Sequence, residues 1–402
     1  MSGSADKPVG SPGLVAVQAA VRAADSCGFV HVGPQTAVDR RYLTGLRGPD
    51  RETAVVFLPG DEGRPAQAIY CLPSDCGSTA FTQAGSEERF ERHVAHRSPA
   101  TATGQHVRNV LAARVGEPSG QPLLVPQDLP HDTAVFLQQA GYELASTAAV
   151  RTARATKTPA ERGRQRTVQT AAAEGMARAE TMLAESNSDD GLWLDGRPLT
   201  VERLRRAINA ALAAAGVGAA ANTRIESLPV GSTDQLAAGE PICIRLAPRG
   251  PQGYHTLLTR TFVVDSEGGW DRRAFIAAKA GLRAAARHLE AGVDVSTVEG
   301  ETVAEIGAYG FAVGSEDETH QANAVATVHG VGLSTDERPA VWTESTLQQQ
   351  TVVAVEASVV GDRAVRVGEL YTVAAERAAA VGEYPVSLGP VDRHGEPERA
   401  TE

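Results

Sequence analysis

Thr351-Val-Val-Ala-Val-Glu-Ala-Ser-Val-Val360 is an apolar, β-branched run interrupted by one carboxylate, Glu356. Its composition and length predict a buried strand, and an acid inside such a strand is costly unless it is paired or faces a cavity. The run therefore marks both a core element and a candidate site. On either side of it, strand patterns occupy 324–328 and 366–374, and helical periodicity occupies 272–291 and 295–307. Upstream lie a strand pair, 242–247 and 254–265, and a helix over 200–215 with Val201, Leu204, Ile208 and Leu212 on one face. Ala155-Thr-Lys-Thr-Pro-Ala-Glu161 carries helix-start signals and opens a longer helix bearing Val168, Ala172, Met176, Ala179 and Leu183.

Before residue 148 the pattern alternates. Strands are expected at 28–33, 54–58, 66–72 and 123–125, and helices at 14–24, 87–97, 104–115 and 133–140. The alternation predicts an α/β domain over 14–148 with a largely covered sheet, after a disordered start at 1–13. An α+β half over 149–388 and a polar, flexible tail at 389–402 complete the expected organisation. No repeat of 20–50 residues is visible.

Composition narrows the function classes. With 402 residues, 42% of them apolar and 22% charged, the chain has the make-up of a globular protein of about two domains. A net charge of -11, from 38 Lys+Arg against 49 Asp+Glu, excludes a general affinity for nucleic acid. The alanine-rich stretch 207–221 is interrupted by Asn209 and is shorter than the roughly 20 apolar residues of a membrane span. Residues 1–13 lack the apolar core of a secretory signal. Four cysteines, Cys27, Cys71, Cys76 and Cys243, are too few for a disulfide framework, and a cytoplasmic location is the expectation. Cys71 and Cys76 have no second pair and read as ordinary thiols.

No Gly-rich phosphate loop, Gly-x-Ser-x-Gly elbow, His-Glu-x-x-His or paired Cys-x-x-Cys site is present. Four segments in order do, however, resemble the creatinase and Xaa-Pro aminopeptidase (Xaa-Pro dipeptidase) branch of the pita-bread hydrolases. They are Arg40-Arg-Tyr-Leu-Thr-Gly45, Tyr254-His-Thr-Leu-Leu-Thr-Arg-Thr-Phe262, His329-Gly-Val-Gly-Leu-Ser-Thr-Asp-Glu-Arg-Pro339 and Val352-Val-Ala-Val-Glu356. Residues 151–161 also resemble the family's linker into its catalytic domain. The resemblance implies a creatinase-type N-terminal α/β domain, then a duplicated α/β/β pita-bread domain, in a homodimer. In active metallopeptidases of this kind, two Asp, one His and two Glu hold a pair of divalent cations that activate a bridging water.

Carried onto this chain, the resemblance implies a reduced ligand set. Counting from Gly239-Glu240 places the first Asp position at Arg245, and counting back from the second motif places it at Leu246; neither is an anionic ligand. The second falls on Leu257. The His ligand is His329 and the first Glu ligand is Glu356. The last position falls on Gly368, or on Glu369 after a slip of one residue. One accessory histidine is replaced by Asp336, with Glu337 and Pro339 retained beside it, and another is missing from 227–231. His329, Glu356 and Glu369 have the ligand types of a single-metal site, and His329, Glu356 and Glu337 are the catalytic candidates.

Each residue has a plainer reading. His329 is either a ligand or a retained core or turn histidine. Glu356 is best explained by a salt bridge to Arg245, a role Arg260 could equally share, and His255, Arg260 and Asp336 are the substrate-cleft candidates. His255 faces either the cleft or, as the first expectation, the surface. Asp336 and Glu337 form an acid pair or a solvated turn. The five arginines and one lysine of 151–166 line a solvated helix face or an interdomain or subunit contact. Three functions follow. The first is a degenerate pseudo-peptidase without a dimetal centre, holding no metal or at most one Mn, Zn or Co ion. The second is an active mononuclear or metal-free hydrolase of Xaa-Pro peptides or a small amide or amidine. The third is a dimeric binding or regulatory protein whose vacated cleft takes a peptide or small molecule.

Overall fold

In a computed structural model describing residues 12–34, 36–46, 51–61, 63–76, 90–189, 191–227, 234–313, 322–340 and 346–391, the chain divides into two compact units, Met1–Arg154 and Ala155–Glu402. The expectations for 1–11, 87–89, 228–231 and 392–402 lie outside the described residues.

The first unit runs α1 (Pro12–Ala23), β1 (Gly28–Gly33), α2 (Val38–Thr44), β2 (Thr53–Leu58), β3 (Ala66–Pro73), β4 (Phe90–Arg97), α3 (Thr103–Val115), β5 (Leu123–Val125), α4 (His131–Gln139), β6 (Leu144–Ser146) and α5 (Ala149–Ala155). Its sheet has the order β4-β3-β2-β1-β5-β6. β1, β5 and β6 run parallel to one another, and β2 is antiparallel to both β1 and β3. Val30, Val32, Val56 and Ile69 bury one face against Val107 and Leu111 of α3. The helix expected over 87–97 is instead strand β4, parallel to β3 along its whole length. Phe90 packs edge-on against Phe57 there, with ring centroids 5.9 Å apart. Sheet pairing overrides the weak helical spacing of this polar segment.

The second unit opens with α6 (Pro159–Ala184). Thr158 and Glu161 form a capping box with Pro159 in the first turn, as the helix-start signals predict. Three short strands follow, β7 (Asn187–Ser188), β8 (Leu192–Leu194) and β9 (Arg197–Pro198), and then α7 (Val201–Ala214). Leu204, Ile208 and Leu212 of α7 pack with Val168, Ala172, Met176 and Ala179 of α6. The remaining elements are β10 (Thr223–Glu226), β11 (Ile242–Leu246), β12 (Leu258–Phe262), α8 (Trp270–His288), α9 (Val295–Gly307), β13 (Ala322–Gly330), β14 (Glu337–Ala340), β15 (Val352–Gly361), β16 (Ala364–Thr372) and β17 (Ala379–Ala380).

The large sheet has the order β10-β11-β12-β16-β15-β13-β14. Each half thus contributes two helices and a strand group, which is the duplicated α/β/β plan implied by the resemblance. The halves meet where β12 pairs with β16 at Thr259 and Gly368. Along β15, Val353, Val355, Ala357 and Val359 face α8 and α9 in one apolar core, each valine contributing about 1.5–3 kcal/mol on burial. By strand alternation, Val352, Ala354 and Glu356 face the other way.

Candidate active site

Register gathers the site into one row across the sheet. Arg224 of β10 is opposite Arg245 of β11, Arg245 is opposite Thr259 of β12, and Thr259 is opposite Gly368 of β16. Gly368 is opposite Glu356 of β15, which is opposite Thr327 of β13. Residues paired across strands share a face, so all six belong to the same side of the sheet. His329, two residues along β13 from Thr327, lies on that side as well.

Glu356 is the hub of the row. Arg245 Nε donates to its Oε2 at 2.9 Å, and Thr259 Oγ1 donates to its Oε1 at 2.6 Å. The salt bridge expected from a lone acid in an apolar strand is therefore present, and both carboxylate oxygens are engaged. Arg245 is the member of the Arg245/Leu246 pair that faces Glu356; Leu246 is fully buried in the core beneath α6 and α7. Gly368 makes the bridge sterically possible. A Cβ there would sit 2.7 Å from Glu356 Cγ and 3.0 Å from Thr259 Cβ, so the side chain of Glu356 occupies the space above the glycine.

Glu369 points to the opposite face, one residue out of step with Gly368. There it is ion-paired with Arg260, whose guanidinium also donates to the carbonyls of Thr259, Gly368, Tyr384 and Pro385. Burial pushes the Glu369 carboxyl above its usual range, against the pull of Arg260. The expected trio of His329, Glu356 and Glu369 is thus not brought together, and Arg260, fully buried on the far face, partners Glu369 rather than Glu356 and is not a cleft residue.

Glu337 is likewise withdrawn from the cleft. Its Oε2 accepts from Lys157 Nζ at 3.0 Å and its Oε1 accepts from the Ser334 backbone at 3.0 Å, with both charged side chains buried. The solvated reading of 151–166 therefore fails at Lys157, and it also fails at Arg154, which is buried against Asp39. His255 is not on the surface. It is 7% exposed and Nδ1 lies 3.2 Å from the Ala247 carbonyl, with its pKa lowered mainly by burial. Asp336 does reach the cleft, 3.7 Å from His329 Nδ1 and largely exposed.

The resulting cleft, about 340 Å³, is lined by Arg224, Arg245, Arg366, His329, Glu356 and Asp336, among others. The Cys243 thiol on its floor is pushed up to about 12 by burial, which keeps it neutral and unreactive. Beside the row, Leu257 packs with Val331, Val352, Ala354, Leu370 and Val381 in an apolar cluster. Sequence reasoning missed Arg224 and Arg366, whose place in the cleft depends on cross-strand register rather than on any motif.

This donor set does not fit a pair of divalent cations. Arg245, one of the two residues to which the resemblance assigns the first carboxylate position, presents a guanidinium to Glu356, and a guanidinium repels a cation. The side chains of Leu257 and Gly368 supply no ligand atoms, and each oxygen of Glu356 already accepts one hydrogen bond. Among the described residues, no three His, Cys, Asp or Glu side chains come together to hold a metal ion.

The model of metallopeptidase family M24 matches residues 164–375, more than half of the chain. The chain belongs to metallopeptidase family M24. Among solved structures, the dipeptidase PepE from Mycobacterium ulcerans is 23% identical, with a TM-score of 0.74 over 96% of this chain and 99% of that one. The prolidase from Pyrococcus horikoshii OT3 is 16% identical, with a TM-score of 0.70 over 94% and 99%. An Xaa-Pro dipeptidase from Bacillus anthracis is 17% identical, with a TM-score of 0.71 over 94% and 98%. At these identities the likeness is one of fold, and it extends over both units of the M24 chain. No curated protein matches the sequence. No helix among the described residues is long and apolar enough to cross a membrane.

Proposed function

We propose that this M24 protein is a pseudo-peptidase: it keeps the pita-bread cleft, has exchanged the dimetal centre for an arginine-carboxylate pair, and uses the cleft to bind a small molecule or short peptide. The observation that supports this reading is the Arg245 to Glu356 bridge, which engages the glutamate that the family resemblance assigns as a ligand. A bridging hydroxide needs cations to lower the pKa of its parent water, and here positive charge is supplied by a group that cannot coordinate oxygen as a Lewis acid. Fold alone does not fix function, and in this chain the site residues decide. The same reading takes the chain as a homodimer, in line with the family resemblance.

The test is hydrolysis of Xaa-Pro dipeptides by protein equilibrated with Mn, Co or Zn. The reading expects no turnover above a control lacking protein. Metal-dependent turnover abolished by His329→Ala would instead favour a mononuclear enzyme.

A further inference from the structure

β10 is an edge strand of the large sheet: it pairs with β11 on one side and with no described residue on the other. The Ala247 backbone N–H donates to the Asn222 carbonyl at 3.2 Å, in register with the ladder between β10 and β11. Backbone groups of an antiparallel strand alternate in direction, so the N–H and C=O of Arg224 and Glu226 turn toward β11 and those of Thr223 and Ile225 turn outward. Among the described residues nothing bonds those outward groups. An open hollow of about 480 Å³ lies along this edge, lined by all four residues of β10 and by Arg205 and Asn209 of α7.

The side chains of Arg224 and Glu226 stand on one face, two residues apart, and both keep unused capacity. Arg224 is exposed, with no hydrogen bond or ion pair to any described residue. Glu226 is half exposed, and its one ion pair among the described residues, from Arg366 Nε to Oε2 at 3.4 Å, leaves Oε1 free.

Charges on an edge strand ordinarily discourage pairing. Here the two are opposite in sign, so the effect depends on register. A two-fold antiparallel pairing of β10 with its copy sets one residue opposite itself. Centred on Arg224 it opposes arginine to arginine, centred on Glu226 it opposes acid to acid, and centred on Thr223 it gives neither charge a charged neighbour. Centred on Ile225, it places Arg224 of each chain opposite Glu226 of the other, while the outward backbone groups of Ile225 bond their twins. The charged pairs then occupy non-hydrogen-bonded positions, where cross-strand side chains come closest.

We infer that β10 is a self-association edge: two copies of this chain join β10 to β10, antiparallel about Ile225, held by reciprocal Arg224 to Glu226 ion pairs that continue the sheet from one chain into the other. The contact is isologous, so one surface serves both chains. A short strand and exposed ion pairs make it a weak contact that salt loosens. It is independent of what the cleft binds, and it goes beyond the homodimer reading by assigning a face and a register.

Sedimentation of the full-length protein over a range of concentrations, at low and at high salt, tests it. Arg224→Glu and Glu226→Arg should each weaken the association about tenfold or more, because each opposes like charges. An equimolar mixture of the two variants should restore it, since the acids of one chain then face the arginines of the other, and a fold damaged by either substitution could not give that rescue. An assembly unchanged in both single variants, or a mixture no tighter than its components, would overturn the contact and leave the homodimer to another face. A parent chain that stays monomeric at about 0.1 mM would overturn the contact and the homodimer reading together, leaving the edge to an extended segment of a different protein.

Discussion

Glu356 shows how one residue can be read from both directions. In the sequence it is an acid in an apolar strand, and in the fold it accepts from Arg245 and Thr259. Removing one member of a mostly buried pair leaves the other uncompensated. With side-chain exposures of 23% and 12%, the loss for Glu356→Gln should be about 2 kcal/mol, below the range for fully buried pairs. Replacing both residues together, Arg245→Met with Glu356→Leu, should recover most of it; urea unfolding of the single and double variants checks both values. A second residue-scale expectation concerns pH. Burial holds the His31 and His255 imidazoles below their ordinary pKa, so the unfolded chain takes up protons below roughly pH 6.5 while the folded protein does not. Their contribution to stability is complete above that pH and is lost as pH falls from it toward the folded values. Melting temperature should decline over that window, and His255→Gln should flatten the decline; an unchanged slope would contradict it.

At the scale of elements, the seam between β12 and β16 decides the chemistry. Gly368 leaves room for Glu356 to reach Arg245, so on the proposed reading the glycine at this ligand position and the ion pair go together. Gly368→Ala would place a Cβ 2.7 Å from Glu356 Cγ. Displacing that side chain and its bonds should cost about 1–3 kcal/mol, seen as a lowered unfolding midpoint. What was legible in the sequence divides along the same line. The long amphipathic helices, the capped start of α6 and the valine-rich strands announce themselves through periodicity, and the lone Glu356 announced its need for a cation. Other features depend on strand parity, which reverses with a shift of one residue. Parity put Glu369 with Arg260 on the far face and Leu246 in the core. Others depend on loops that meet only in three dimensions, such as the burial of His255 and the union of Lys157 with Glu337. β4 was misread as helix because its backbone partner, β3, outweighs a weak local pattern.

For the whole molecule, the chain carries an M24 fold, and the proposed reading is that its reaction centre differs from that of an active metallopeptidase. The two helix-backed halves still bring a row of side chains from Arg224 to Thr327 across the cleft. That row now carries arginines where the family resemblance calls for a cation-binding acid. If the cleft has no dimetal centre, as proposed, the metal content of the protein will show it. Protein purified without chelator, equilibrated with Mn, Co or Zn and desalted, should retain no stoichiometric ion by elemental analysis, and Glu356→Ala should not change that result. Two tightly held ions per chain, lost on substitution of His329 or Glu356, would show a dimetal centre and overturn the pseudo-peptidase reading.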